Sequence, residues 1–292
     1  MNRILIAAVL VLAASSLACA QVGTHAPKPR YGVNSAVGHT FTHDGVALYY
    51  ETYGSGELLL VVHGNGGSIA DVAAQIAYFS ASYQVVAMDS RDQGRSGDSP
   101  GDLTYEKMSD DLAALLDHLE AGPANVLGWS DGGIQALLLA IRHPAKVKSI
   151  IAMAANLNST GEAFRPDVAE WLASYVEAIS GDETPEGRRE FKVASIMLEQ
   201  PSIAPESLGS IVAPALIMAG DRDLIRDEHI VDIYHYIPNS QLAIFPNATH
   251  MLLYDDLAAF NATVERFLRD PSASKDRIHD LEKSLEELRG SQ

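Results

Sequence analysis

The sequence predicts an α/β fold in which helices cover both faces of a mostly parallel β-sheet. The first observation is a series of short, continuous runs of Val, Ile, Leu and Ala, which strands buried on both faces require. The second is that stretches with apolar residues at helical spacing separate these runs. The third is a composition of 47% apolar and 20% charged residues, which is typical of a folded globular protein and excludes a disordered or low-complexity chain.

Residues 1–20 have the features of a secretory signal peptide. Arg3 precedes an apolar run from Ile4 to Ala14, and small residues ending in Ala18-Cys19-Ala20 form an A-x-A cleavage site. The apolar run is too short to span a bilayer, so we expect no transmembrane span in the mature chain. We therefore expect export to the periplasm or the medium. Two alternatives remain open: an uncleaved anchor, and a lipoprotein lipidated at Cys19.

Charge and cysteine content exclude several classes of partner and site. The chain carries 38 acidic and 21 basic side chains, a formal net charge of −17. Binding of nucleic acid or anionic lipid is disfavoured because phosphate contacts need a basic surface. The single cysteine excludes a disulfide framework and a cysteine metal cluster. A small molecule, with a mild preference for a cation, is the expected partner.

The predicted strands begin with an antiparallel hairpin around Gly45, between His39–Phe41 and Val46–Glu51. Six buried strands follow, at Leu58–Val62, Gln84–Met88, Asn125–Leu127, Val147–Met153, Ala215–Ala219 and Gln241–Phe245. Apolar residues at helical spacing from Met108 to Leu119 predict a helix that ends before Gly122-Pro123.

Residues 157–210 break this alternation, because they contain no buried-strand run. Helical stripes predict two helices there, and their members are Val168, Trp171, Leu172, Tyr175, Val176 and Ile179 in the first and Phe191, Ala194 and Leu198 in the second. We expect a helical cap inserted into a core of residues 21–156 and 211–270. The alternative is a pair of helices that simply cover the sheet.

Residues 271–292 predict a charged amphipathic C-terminal helix. Its apolar positions are Ile278, Leu281, Leu285 and Leu288. This repeat is too short to indicate a coiled coil, so packing on the same domain or fraying is favoured over weak self-association through residues 278–288.

The strongest chemical signal is the segment Gly128-Trp129-Ser130-Asp131-Gly132-Gly133, a GxSxG motif between a predicted strand and a helix. In that context the serine lies on a sharp, strained turn with its hydroxyl exposed. Side chains at Gly128 and Gly132 would collide with the neighbouring strand and helix. We therefore predict that Ser130 is a nucleophile.

A serine nucleophile needs a base and a carboxylate that orients the base. Asp223 follows the strand Ala215–Ala219, and His250 follows the strand Gln241–Phe245. The order Ser, Asp, His is the one expected when these residues follow the strands of an open α/β sheet. Asp221 is the competitor for the acid role. The histidines at 118, 143, 229 and 235 are expected to be structural.

Acyl transfer also needs donors for the tetrahedral oxyanion. The loop His63-Gly64-Asn65-Gly66-Gly67 follows the strand Leu58–Val62, and its small residues allow the backbone to approach a substrate. We assign the oxyanion hole to the backbone amides of Asn65 and Asp131, with Gly64 and Gly66 at the substrate. A phosphate-binding loop is excluded, because neither GxxxxGK[ST] nor GxGxxG is present.

These motifs, together with DSRDQGRSG at 89–97, resemble the α/β-hydrolase fold family across residues 39–270. The resemblance implies an eight-stranded sheet. GWSDGG followed by Ala154-Ala155-Asn156 looks like the valacyclovir-hydrolase (biphenyl-hydrolase-like) group of serine esterases. That likeness implies α-amino acid esters as substrates and a role for Asp131 in holding the substrate ammonium. Asp92-Gln93 stands where many relatives have Gly-His.

The charge of Asp131 leaves two interpretations open. A carboxylate about 6 Å from a developing oxyanion would oppose it by roughly 3 kcal/mol at an effective dielectric constant of about 20. The helix N-terminus would offset only about 0.3 to 1 kcal/mol of this. Asp131 therefore either points away as a helix-start carboxylate or faces a cationic group of the substrate.

Together, the residues predict an exported serine hydrolase that cleaves a small carboxylic ester through an acyl-enzyme, with no metal or organic cofactor. An aminopeptidase, a lactonase, a carbon–carbon bond hydrolase and a perhydrolase would use the same triad. From a different class, a catalytically silent binding protein of the cell envelope remains an alternative.

Overall fold

A single eight-stranded sheet organises the computed structural model, which describes residues 30–272 and residue 289. The strands are β1 (Gly38–His43), β2 (Val46–Tyr53), β3 (Leu58–Val62), β4 (Gln84–Met88), β5 (Ala124–Trp129), β6 (Val147–Met153), β7 (Ala215–Arg222) and β8 (Ser240–Thr249). Their order is β1-β2-β4-β3-β5-β6-β7-β8. β1 and β2 pair antiparallel with their neighbours, and all other pairs are parallel. The predicted eight-stranded, mostly parallel sheet is confirmed.

Helices connect the parallel strands. They are α1 (Ala73–Phe79), α2 (Tyr105–His118), α3 (Asp131–Arg142), α4 (Pro166–Ile179), α5 (Pro185–Glu199), α6 (Asp227–Tyr236), α7 (Leu252–Asp255) and α8 (Leu257–Arg269). The helix predicted from Met108 onwards begins earlier, at Tyr105. The reason is an N-cap, because the Thr104 hydroxyl accepts a hydrogen bond from the Lys107 amide at 3.1 Å.

The sheet is buried on both faces, as the continuous apolar strands predict. Leu60 and Val62 of β3 pack in the cluster that contains the apolar sides of α2, α3 and α6, whereas Leu59 and Val61 pack in the cluster that contains those of α1 and α8. Successive side chains of one strand thus enter opposite layers. Both layers are apolar, so a polar side chain buried in them, such as Glu51 of β2, needs hydrogen-bond partners.

The carboxyl ends of the parallel strands meet along one edge of the sheet. β3 leads into the loop at 63–67, β5 into Ser130, β7 into Asp223 and β8 into His250. These strands are neighbours or near neighbours in the order β3-β5-β6-β7-β8. The topology therefore gathers all the candidate catalytic residues at this edge.

Between β6 and β7 the chain forms the helices α4 and α5, which share a small apolar cluster built on Leu172, Val176 and Ala194. Trp171 and Leu198 belong to the predicted stripes but are exposed. The two helices bury only a few apolar side chains against each other. Trp171 is not among them and stacks on Tyr175 of the same helix, with 5.7 Å between the ring centroids. Whether residues 157–210 act as a cap remains a prediction.

The predictions for residues 1–20 and for the helix at 271–292 fall on residues that lie, apart from 271, 272 and 289, outside the described part of the chain. Within that part, none of the helices combines the length and the apolar character that crossing a bilayer requires.

Candidate active site

Ser130 occupies the sharp turn between β5 and α3. Its backbone is in the left-handed half of conformational space, with φ 56° and ψ −116°. A Cβ at Gly128 would lie 2.0 Å from the Gly132 carbonyl oxygen, and one at Gly132 would lie 2.3 Å from that of Val62. Any side chain at these two positions would therefore collide with the backbone, as predicted. The two glycines thus allow the strained turn that exposes the serine.

His250 connects Ser130 to Asp223. Its Nε2 lies 3.0 Å from Ser130 Oγ, and its Nδ1 lies 2.7 Å from Asp223 Oδ1. The backbone carbonyl of His250 accepts a hydrogen bond from the Trp129 indole at 2.9 Å, which ties the histidine loop to the turn that carries the serine. The structure thus brings together three side chains that are 27 and 120 positions apart in the chain.

Of the two candidate acids, the structure places Asp223 beside the histidine. Asp223 is buried and also accepts a hydrogen bond from the Ile225 amide at 3.1 Å. Asp221 is partly exposed, and its nearest cation is Arg222 at 3.7 Å. The reason is that β7 ends at Arg222 and the chain turns there, with the Asp223 amide donating to the Gly220 carbonyl at 3.2 Å, so Asp223 does not continue the strand's side-chain alternation.

The environment of His250 favours its protonated form. Burial lowers the pKa of the imidazole, but the charge of Asp223, its hydrogen bond and the charge of Asp131 outweigh burial, so the pKa lies above its ordinary value. Because of the raised pKa, the neutral imidazole of His250 is a stronger base than free imidazole. It can accept a proton from Ser130 and share the resulting charge with Asp223.

The loop after β3 lies against Ser130. A Cβ on Gly64 would lie 3.3 Å from the Ser130 Cβ, a tight contact that would press on the serine, and glycine avoids it. The buried His63 ring fixes the loop, because Nδ1 donates to the Gly64 carbonyl at 2.7 Å and Nε2 accepts from the Ser90 amide at 3.0 Å. Gly66 has φ 65° and lines a cavity beside the loop.

The two backbone amides assigned to the oxyanion hole are those of Asn65 and Asp131. In the described part of the chain, neither amide donates a hydrogen bond to a protein acceptor. Asp131 is the first residue of α3, where helical geometry leaves N–H groups without intrahelical partners. Both donors are thus free to bind a ligand oxygen.

The Asp131 side chain is buried and hydrogen-bonded to neutral groups, and both of its interpretations stay predictions. It is buried, with 3% of its surface exposed. Oδ1 accepts from the Tyr105 hydroxyl at 2.8 Å, and Oδ2 accepts from the Asn65 side-chain amide at 2.9 Å. Burial raises the pKa of this carboxyl, and the two hydrogen bonds lower it only in part. The site therefore contains a buried carboxylate whose desolvation costs free energy and whose hydrogen-bond donors, Tyr105 and Asn65, are both neutral.

The Asn65 side chain is a functional contact that sequence reasoning missed. Its Nδ2 donates to Asp131 Oδ2 and also to the carbonyl oxygen of Val193, in α5, at 2.8 Å. One side chain therefore connects the loop after β3, the start of α3 and the inserted helix. Tyr105 was missed too, because it precedes the predicted helix and belongs to no motif.

The contacts of Asp92 give a physical reason for an aspartate where many relatives have glycine in the segment 89–97. Asp92 has φ 62°, a conformation that favours glycine, yet its buried carboxylate accepts from Lys192 of α5 at 2.9 Å and from the Ser99 amide at 3.0 Å. The Arg189 guanidinium donates to the Asp92 carbonyl at 2.6 Å. An aspartate here thus anchors α5 over the loops of the site.

The four histidines expected to be structural, at 118, 143, 229 and 235, make structural contacts. His229 Nε2 accepts from the Leu157 amide at 2.9 Å, and burial lowers its pKa. His143 pairs with Asp110 at 2.7 Å. His118 stacks on Phe41, and His235 packs beside the preceding tyrosine.

Known proteins with similar sequences and folds are hydrolases. Residues 57–201 match the family model for the alpha/beta hydrolase fold. The chain is 29% identical over 282 residues to serine hydrolase BPHL from Homo sapiens, a match that covers 87% of this chain and 94% of the human protein. It is 27% identical over 261 residues to 3-oxoadipate enol-lactonase 2 from Acinetobacter baylyi, covering 79% and 96%.

Solved structures agree on the fold. A hydrolase from Pseudomonas aeruginosa aligns with a TM-score of 0.69 at 22% sequence identity, covering 80% of this chain and 99% of that structure. The predicted resemblance to the α/β-hydrolase fold, and within it to the biphenyl-hydrolase-like group, is confirmed.

Proposed function

Because the chain is a hydrolase of the α/β-hydrolase fold family, we propose that it is a serine hydrolase that cleaves a small carboxylic ester through an acyl-enzyme. The observation that carries the proposal is the arrangement of His250, with Ser130 Oγ 3.0 Å from one ring nitrogen and Asp223 Oδ1 2.7 Å from the other. Nucleophile, base and orienting acid in hydrogen-bond contact are what acyl transfer requires.

In the proposed mechanism, Ser130 Oγ attacks the ester carbonyl carbon while His250 Nε2 takes the hydroxyl proton. The amides of Asn65 and Asp131 donate to the oxyanion, and Asp223 stabilises the imidazolium. His250 then gives the proton to the leaving alcohol as the carbon–oxygen bond breaks. A water molecule that His250 deprotonates then attacks the acyl carbon, the bond from that carbon to Ser130 Oγ breaks, His250 returns the proton to Oγ, and the carboxylic acid leaves. The steps need no metal or organic cofactor.

A preference for substrates with an amino group is the finer part of the proposal. Asp131 follows the nucleophile directly, and its buried carboxylate has neutral partners, Tyr105 and Asn65. A buried negative charge with only neutral donors is stabilised further by a cation at short distance. An ammonium group on the substrate is such a cation.

A lactonase is the second candidate, because a relative that aligns over 96% of its own length is named 3-oxoadipate enol-lactonase 2. A lactone is a cyclic ester, so the same triad would open it with one change: the leaving alcohol stays attached to the acyl group. Aminopeptidase activity is a further alternative that the same experiment separates, through the aminoacyl amides. Carbon–carbon hydrolase and perhydrolase activities, and a silent envelope binding protein, are the remaining alternatives.

The decisive experiment is a panel of p-nitrophenyl esters, aminoacyl esters, aminoacyl amides and lactones, assayed with the wild type and with Ser130→Ala. We expect the aminoacyl esters to give the highest kcat/KM and Ser130→Ala to lose about 10³-fold or more in kcat. Faster turnover of lactones would favour the second candidate. Equal rates for wild type and Ser130→Ala on every substrate would contradict the proposal.

Export is proposed from the segment 1–20 and has its own test. The full chain should be produced in a bacterium and the periplasmic protein analysed by intact mass. A mature chain that begins at Gln21 is expected. A lipidated N-terminal Cys19 would support the lipoprotein alternative, and an unprocessed chain beginning at Met1 would contradict cleavage.

A further inference from the structure

A cavity of about 240 Å³ adjoins the candidate active site. It lies between α5, which contributes Val193 and Ala194, and the two loops that carry Asn65-Gly66 and Gln93-Gly94. The Asn65 side chain bonds Asp131, the residue after the nucleophile, and so separates the cavity from that carboxylate. A substrate group reaching past Ser130 along the loop would enter this cavity.

The Asn65 side chain presents an acceptor to its surroundings. Both hydrogens of its Nδ2 are used, one on Asp131 Oδ2 at 2.9 Å and one on the Val193 carbonyl at 2.8 Å. Both partners are acceptors, so the orientation of the amide is determined. Within residues 30–272, no donor bonds the remaining polar atom, Oδ1.

Gln93 also lines the cavity and carries a second acceptor that has no hydrogen-bond partner in the described residues. The residue is 4% exposed, and its Nε2 makes only a 3.8 Å contact with the Met108 sulfur. Its Oε1 is buried and has no partner in the described part of the chain. A buried carbonyl oxygen without a hydrogen bond costs free energy that a bound donor would recover.

The cations near the cavity are directed at the loop 92–99. Arg189 donates to the Asp92 and Ser96 carbonyls and pairs with Asp98 at 2.9 Å. Lys192 donates to the Asp92 carboxylate and to both oxygens of Ser99. Their hydrogen bonds therefore hold α5 on that loop.

The outer wall of the cavity is acidic. Glu186 and Glu190 both line it, and the Glu190 carboxylate accepts from the Tyr175 hydroxyl at 2.8 Å. Because Arg189 already has an anionic partner in Asp98, the two glutamates leave a negative field at this wall. The negative field and the unpartnered oxygens of Asn65 and Gln93 both favour a ligand that donates hydrogen bonds or carries a positive charge.

We propose that this cavity is a substrate subsite for a substituent that carries N–H or O–H donors, with Gln93 as its specificity-determining residue. The inference rests on the proposed ester hydrolysis at Ser130. It differs from recognition at Asp131, whose two carboxylate oxygens are already engaged by Tyr105 and Asn65.

The test uses two series of ethyl esters, of four-carbon and six-carbon acids, whose terminal group is methyl, hydroxyl or ammonium. In the wild type we expect kcat/KM to favour the hydroxyl or ammonium ester over the methyl ester by about tenfold in at least one series. A wild type that prefers the methyl ester in both series would overturn the subsite.

Gln93→Met removes the carbonyl oxygen at nearly constant side-chain length. We expect the donor-to-methyl ratio to fall to within about twofold of one. Gln75→Met is the matched control, because Gln75 is also buried with an unpartnered Oε1 but bonds Leu253 and does not line the cavity. It should keep the wild-type ratio. A Gln93→Met variant that retains the full preference would overturn the proposal.

Binding to Ser130→Ala, measured by calorimetry with the same esters, separates the subsite from the chemistry. Donor-ended esters should bind about tenfold more tightly than methyl-ended ones. Equal affinities would overturn the subsite even if the wild type hydrolyses every ester. Retained binding preference without any hydrolysis would support the subsite and count against the proposed function.

Discussion

The side-chain amide of Asn65 donates a hydrogen bond of 2.9 Å to the buried carboxylate of Asp131. The backbone amides of the same two residues are the proposed oxyanion donors, so one contact fixes the distance between the loop after β3 and the start of α3. The second hydrogen of the same amide bonds the Val193 carbonyl of α5. The geometry of the proposed oxyanion hole is thereby linked to the position of the inserted helix.

Asp131→Asn tests the role of the buried carboxylate. The change removes a negative charge and leaves an NH₂ group facing either the Tyr105 hydroxyl or the Asn65 amide. We expect kcat/KM for aminoacyl esters to fall 10- to 100-fold, since a hydrogen bond to a charged group contributes about 1.5 to 3 kcal/mol. Neutral esters should lose much less. Equal losses on both kinds of ester would show that Asp131 has no preference for a cation.

The pH dependence of hydrolysis follows from the raised pKa of His250. The base must be neutral to take the Ser130 proton, so activity is present above this pKa and lost as the pH falls through it. We expect the acidic limb of the kcat/KM profile to have its midpoint above about 6.5, the ordinary value for histidine. Asp131→Asn should move this limb to lower pH, because the charge of Asp131 contributes to the shift. A midpoint below 6 in the wild type would contradict the described environment.

Lys192→Met tests the anchor of α5. Asp92 is buried and would keep only the Ser99 donors. We expect the free energy of unfolding to fall by about 2 kcal/mol. This is less than for a fully buried ion pair, because the Lys192 side chain is about a quarter exposed. Arg165→Met is the control, since the Arg165–Asp167 pair on the same insertion is exposed and should contribute at most about 1 kcal/mol. Chemical denaturation measures both. Equal effects of the two substitutions would contradict the anchoring role.

Glu51→Gln tests how the segment before the first strand is held. The buried Glu51 carboxylate accepts four hydrogen bonds of 2.7–2.8 Å, from the amides of Gly32 and Asn34 and from the hydroxyls of Tyr49 and Tyr53. An amide would turn one acceptor into a donor that faces other donors. We expect the free energy of unfolding to fall by about 3 kcal/mol.

The control for this change is Glu265→Gln. Glu265 is about half exposed, accepts one hydrogen bond from Tyr78 and pairs with Arg269 at 3.9 Å, so the loss should stay within about 0.5 kcal/mol. Thermal unfolding of both variants gives the comparison. A Glu51→Gln protein as stable as the control would show that the network around Glu51 adds little to stability.

The sheet and the order of the candidate triad could be predicted because they depend on local patterns. Apolar runs of strand length and the GxSxG turn are contiguous in the sequence, and parallel strands bring their carboxyl ends to one edge whatever the loops contain. Asp223 and His250 each follow such a strand, so their proximity to Ser130 is a consequence of topology.

The contacts that shape the site could not be predicted in the same way. The bonds from Asn65 to Val193 and from Asp92 to Lys192 join residues 128 and 100 positions apart and depend on how α5 lies over two loops. No local pattern encodes that placement. Similarly, Trp171 fits the apolar stripe of α4 but is exposed, because the insertion offers too little partner surface to bury a whole stripe.

The central claim, that Ser130 is an activated nucleophile, is tested most directly by reaction with a fluorophosphonate probe followed by peptide mass spectrometry. The arrangement of Ser130, His250 and Asp223 predicts stoichiometric labelling at Ser130, at a rate that falls sharply in His250→Ala. A folded wild-type protein that is not labelled, or one that is labelled at another residue, would contradict it.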